Sequence, residues 1–121
     1  MNSTSKPFGQ MLREKRLAKG HSLRSFAKLV DVSPTYLSQV EQGNVLPPTA
    51  DRVKRMAEML GENSDEWIAL AGRVSKDLSE IIQKHPTEMP ELLREASGMT
   101  PEQFRQLREQ VRKIKEQEQE Q

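Results

Sequence analysis

Apolar residues recur along this chain at intervals of three and four, the spacing of one face of an α-helix. Phe8, Met11 and Leu12 begin the pattern, and Gly20 is placed to stop it. Ser22 can cap a second helix that turns Leu23, Phe26, Ala27 and Val30 inward. Ser33 and Pro34 read as a cap followed by proline at the first helical position, with Leu37 and Val40 on one face before Gly43. Beyond a loop holding Pro47 and Pro48, Thr49 is the predicted cap of a fourth helix burying Val53, Met56, Ala57 and Leu60. Gly61 ends that helix, and a short fifth starts at Ser64 and carries Trp67, Ile68 and Ala71. Trp67 reads as core because Ile68 and Ala71 accompany it at helical spacing.

The texture changes near residue 73. Val74, Leu78, Ile81 and Ile82 mark a sixth helix ending near His85 and Pro86. Met89, Leu92, Leu93 and Ala96 mark a seventh, interrupted near its start by Pro90 and closed at Gly98. Thr100 and Gln103 form a capping-box start for the last helix, in which Phe104, Leu107, Val111 and Ile114 fall at coiled-coil spacing. The Glu/Gln tail 116–121 is expected to fray. No run of Val, Ile, Thr or Tyr alternates as a strand would. The chain is therefore expected to be all-α, with a five-helix domain at 6–72 and a three-helix region at 73–121.

Charge divides the same way. Residues 1–55 hold ten Lys/Arg against four Asp/Glu, whereas residues 56–121 hold nine against fourteen, for a net of +1. A basic part joined to an acidic one suggests polyanion binding by the first, although two unevenly charged solvated surfaces would look alike. With no cysteine, disulfides and thiolate metal sites are excluded; His21 and His85 stand alone, so no metal or cofactor is expected. No apolar run approaches the roughly 18 residues of a membrane span. The polar start Met1–Lys6 lacks a signal-peptide core, so the chain is expected to be cytoplasmic with no membrane partner. A glycine-rich phosphate loop, a His-Glu-x-x-His motif and a nucleophile–base set are all missing, which argues against an enzyme.

Residues 23–42 carry most of the functional information. Two short helices flank a turn at Asp31, Val32 and Ser33. Ala27 is small where the helices must touch, and Asp31 is among the few residue types that visit a left-handed backbone. Phe26, Val30, Val32, Leu37 and Val40 can pin the second helix to the first, making a helix-turn-helix. That second helix then shows Thr35, Tyr36, Ser38, Gln39 and Gln42 outward, neutral hydrogen-bonding side chains suited to a DNA groove. Singly, Ser38 and Gln39 could be solvated positions and Tyr36 a cover for the core edge.

The segment from Phe8 to Leu60 resembles the Xre/lambdoid-repressor family, through Leu12, Arg13 and Arg16 at its start and Glu41, Gln42 and Gly43 at the end of the second helix. Asp31 departs from the glycine usual there. The resemblance implies a lambda-repressor-like fold in which Pro34, Thr35 and Gln39 meet bases. It also implies an Arg16–Glu41 ion pair, with Arg16 near a phosphate as well. Ser33, Tyr36, Ser38, Gln42 and Asn44 are candidates for phosphate contacts, which position a protein without reading sequence.

The last third is too short for a comfortable core of its own. Its stripes, Leu78, Ile81, Ile82, Leu92, Leu93, Phe104, Leu107, Val111 and Ile114, are expected to dimerise the chain. A homodimer would set two recognition helices into successive major grooves of a palindromic double-stranded DNA operator, about 34 Å apart. The Ala71-Gly72-Arg73 link and the Glu91–Arg94 segment are similar to DdrO- and CapH-like repressors. That similarity implies a stress-responsive repressor inactivated in trans by an ImmA/IrrE-type metallopeptidase, with cleavage near Leu93 and Arg94. Two alternatives stay open: an antitoxin whose C-terminal helices hold a toxin, and an adaptor using the domain for protein docking.

Overall fold

The computed structural model describes residues 5–119, and the expectations for the first four and last two residues lie outside them. The described residues form eight helices and no strand. They divide into two compact units, one up to Glu80 and one from Ile81 onward.

The first unit is built by α1 (Ser5–Ala18), α2 (Leu23–Leu29), α3 (Pro34–Gln42), α4 (Ala50–Met59) and α5 (Ser64–Leu70). Its core collects the inward stripe of each: Phe8 and Leu12, Phe26 and Ala27, Leu37 and Val40, Val53, Met56 and Ala57, Trp67 and Ile68. Trp67 meets the edge of Phe8 in a T-shaped pair, centroids 5.9 Å apart, the arrangement that aromatic quadrupoles favour.

All five helices end in the same way. Within two residues of each helix end, one residue donates to a carbonyl three back and its successor to one five back, as in Asp31 to Lys28 and Val32 to Ala27 at 3.3 and 2.9 Å, and Gly43 to Val40 and Asn44 to Gln39 at 3.1 and 3.0 Å. This Schellman ending needs a left-handed residue. Glycine fills the position at 20, 43, 61 and 72, and Asp31, at φ 59°, fills it at the turn between α2 and α3.

Helix α5 starts at Ser64 as expected, capped by Asn63, whose side chain accepts from the Glu66 N–H at 2.8 Å. Thr49 precedes α4 but its side chain makes no capping bond.

The second unit contains the end of α6 (Lys76–Lys84), then α7 (Glu88–Ala96) and α8 (Pro101–Gln119). Two expectations are corrected. Pro90 does not interrupt α7, because it occupies the first turn, where an N–H has no helical partner to lose. The C-terminal helix does not fray at Glu116: it continues to Gln119, through Glu and Gln residues that are good helix formers. At its start Thr100 and Gln103 exchange backbone–side-chain bonds of 2.9 and 3.1 Å, a complete capping box. Val74, expected in the sixth helix, precedes it and is exposed.

Residues 73–80 cluster with the first unit. The Arg73 guanidinium, on the segment expected to be a link, donates to the carbonyls of Pro47 (through Nη2) and of Pro48 (through Nε, at 3.0 Å). That grip holds the segment after α5 to the loop after α3.

Candidate nucleic-acid interface

Helix α3 is set by its two ends. The Ser33 hydroxyl accepts from the Tyr36 N–H at 3.1 Å, Pro34 follows with its fixed φ, and Gly43 closes the helix in the left-handed region. Leu37 and Val40 are buried, so the remaining faces carry Pro34, Thr35, Tyr36, Ser38, Gln39 and Gln42. Thr35 and Gln42 are exposed, while Pro34, Ser38 and Gln39 are half-buried. Gln42 donates to the Ser38 hydroxyl at 2.8 Å and accepts from the Asn44 amide at 3.1 Å. Ser38, Gln42 and Asn44 thus form one linked polar strip. Tyr36 leans on the core edge and also lines a shallow concavity with Asp31, Val32, Ser33 and Arg52.

The other end of α3 is held by α1. Arg16 donates to both Glu41 carboxylate oxygens, at 2.7 and 2.9 Å, and to the His21 carbonyl at 3.0 Å. The two side chains are only 7% and 4% exposed, and the hydrogen bond that Arg16 donates to Glu41 holds the guanidinium pKa above its ordinary value. This fork commits three of the five guanidinium N–H groups within the protein. Its work is to join α1 to the end of α3.

Gly9 makes the second join, and nothing in the sequence pattern pointed to it. A methyl group there would stand 2.4 Å from the Val40 carbonyl oxygen and 2.8 Å from that of Glu41. Only a residue without Cβ lets α1 approach the α3 backbone so closely.

Three cations also went unnamed in the sequence reading. Arg24 and Lys28 of α2 line a concavity with Asp31, Val32, Ser33 and Pro34, and Arg52 of α4 lines the one that Asp31, Val32 and Ser33 share with Tyr36. They could have been suspected only from helical phase, since no motif marks them.

Residues 12–67 match the family described as Helix-turn-helix. The helix-turn-helix segment covers α2, the Asp31 turn and α3, together with most of the core around them. Over 91 residues the chain is 31% identical to the uncharacterized HTH-type transcriptional regulator RghRB of Bacillus subtilis, covering 75% of this chain. It spans 57% of that relative's length. A crystal structure of the clp gene regulator ClgR from Corynebacterium glutamicum is similar at a TM-score of 0.50 and 28% identity, over 60% of this chain and 92% of that one. Another structure of ClgR extends the likeness of fold to 79% of this chain and 96% of that one, at a TM-score of 0.51 and 24% identity. No helix among the described residues is long and apolar enough to cross a membrane.

Proposed function

We propose that this chain is a sequence-specific DNA-binding transcriptional repressor acting as a homodimer. The observation that carries the reading is the outer face of α3. On the second helix of a helix-turn-helix segment it presents Thr35 and Gln39, with the linked strip of Ser38, Gln42 and Asn44 beside them. Neutral donors and acceptors on such a face can pair with base edges in a major groove, and Pro34 at the helix start allows close approach without donating. Ser33, Tyr36 and the linked strip then serve the sugar-phosphate backbone. RghRB and ClgR, both regulators by name, support the coarser part of this reading, a transcriptional regulator.

The test begins by selecting a preferred duplex from a random pool with the wild-type protein. Thr35→Ala and Gln39→Ala are then measured on that duplex and on a scrambled one. Each substitution should lose about 1–3 kcal/mol on the selected duplex and almost nothing on the scrambled one. Equal losses on both would overturn the base-reading role.

The dimer rests on apolar surface that the single chain leaves uncovered. Phe104, Val111 and Ile114 on α8 are exposed, as are Ile81, Leu92 and Leu93, while Leu107 and Ile82 are half-covered. With Phe104 and Val111 at a and Leu107 and Ile114 at d, Gln103 and Gln110 flank one side of the seam and Arg108 and Lys115 the other. Parallel pairing sets glutamine against cation, whereas antiparallel pairing would set Arg108 against Lys115, so a parallel dimer on a palindromic operator is favoured.

Relief of repression belongs to the same reading. Leu93 and Arg94 are exposed on a short helix, and cutting there by a metallopeptidase acting in trans would detach α8. A protease must first open that helix locally, which a nine-residue helix with no buried residue but Ala96 resists little.

A further inference from the structure

Asp31 forms the left-handed corner of the turn between α2 and α3, beside the start of the face proposed to meet DNA. Its left-handed φ of 59° is forced by the Schellman ending of α2, and its side chain is exposed. It lines both concavities beside the start of α3, sharing one with Arg24, Lys28 and Ser33 and the other with Ser33, Tyr36 and Arg52. Arg24, Lys28 and Arg52 are exposed and form no ion pair with Asp31. The Asp31 carboxylate therefore faces solvent in the middle of a cationic surface without being neutralised by it.

We propose that Arg24, Lys28 and Arg52 contact DNA phosphates on both sides of the turn, and that the Asp31 carboxylate among them acts as a built-in brake on sequence-independent affinity. The inference rests on the DNA-binding reading above and adds to it the residues that set its non-specific part. Non-specific affinity comes almost wholly from phosphate neutralisation. A fixed negative charge at the same place raises the energy of every duplex equally, so it lowers background binding without touching base readout. Glycine would satisfy the backbone at this turn without that repulsion.

The conformational and electrostatic roles of Asp31 separate cleanly in Asp31→Asn. Asparagine tolerates the left-handed region as well as aspartate does and removes only the charge. Glu58→Gln, an exposed carboxylate of α4 outside both concavities, is the charge-matched control. Fluorescence anisotropy on a 5′-labelled duplex of scrambled sequence, across a salt series, supplies the readout.

At low ionic strength Asp31→Asn should bind about three- to tenfold more tightly, the size of one unit charge acting on one or two phosphates through water. The gain should fade as the Debye length shrinks toward about 8 Å at physiological salt. Glu58→Gln should change little. In the opposite direction, Lys28→Gln and Arg52→Gln should weaken binding and reduce the salt slope by about one each.

An Asp31→Asn protein indistinguishable from Glu58→Gln, or one that binds more weakly than wild type, overturns the brake. Unchanged salt slopes in Lys28→Gln and Arg52→Gln overturn the phosphate assignment. Wild-type protein that binds no duplex at low salt instead overturns the DNA-binding reading itself.

Discussion

Replacing Glu41 by alanine tests whether the Arg16 fork holds the first unit together. The substitution leaves a guanidinium that is 6% exposed with one remaining partner, the His21 carbonyl. Breaking one side of a buried ion pair costs about 3–5 kcal/mol, because the surviving charge stays desolvated. The retained bond and the nearby surface place this case toward the lower end, about 3 kcal/mol. A unit of this size has only about 4–12 kcal/mol in total, so Glu41→Ala should remove a quarter or more of it. At about 4–8 °C per kcal/mol the melting temperature should fall by at least about 12 °C. Urea unfolding followed by far-ultraviolet circular dichroism measures the loss directly. The internal comparator is Glu102→Ala, which breaks the exposed Arg105–Glu102 pair of α8, side chains 63% and 66% exposed, and should cost about 0–1 kcal/mol. Arg16→Met combined with Glu41→Leu should recover most of the loss, since a well-packed apolar pair needs no compensation. A Glu41→Ala protein no less stable than Glu102→Ala would refute the reasoning.

Three further outcomes are expected. Gly9→Ala forces a methyl group against two backbone oxygens of α3, so it should destabilise by about 2–3 kcal/mol in the same urea assay, although alanine is the better helix former; a stabilised protein would remove the close approach. Leu107→Glu with Val111→Glu should give monomers in sedimentation velocity and much weaker binding to a palindromic operator; an unchanged dimer would move the interface elsewhere. Cleavage after Leu93 by a metallopeptidase should release an α8 fragment detectable by mass and forfeit avidity of about 10²–10⁴-fold; full operator occupancy by the cut protein would sever proteolysis from derepression.

Most of the helical layout is legible from periodicity and punctuation. The stripes of Phe8/Leu12, Phe26/Ala27 and Val53/Met56/Ala57 are the core stripes of the structure, and Gly20, Gly43, Gly61 and Gly98 do follow helix ends. Local rules failed where residue type did not settle the geometry or where the partner was distant in sequence. Thr49 has the chemistry of a cap, but its side chain makes no capping bond at the start of α4. Gly9 looks like a weakness inside a helix until the α3 carbonyls are brought against it. Arg73 resembles a linker residue because its acceptors, two backbone carbonyls beside prolines, leave no mark in a side-chain pattern. The outer face of α3 was readable as polar, but its internal bonding through Gln42 was not, since spacing alone does not say which amide meets which hydroxyl.

The two joins between α1 and α3 both fall at one end of α3. Gly9 abuts the carbonyls of Val40 and Glu41, and Arg16 grips the Glu41 side chain, while the Pro34 end is secured by the Ser33 cap and the packing of α2. The helix is thereby anchored like a cantilever, with both of its joins to α1 at the root and its cap and α2 at the tip. Small tilts about the root would move Thr35 most and Gln42 least. On the proposed reading of α3, discrimination between closely related operators should then be most forgiving beside Thr35, farthest from the joins, and strictest toward the clamped end.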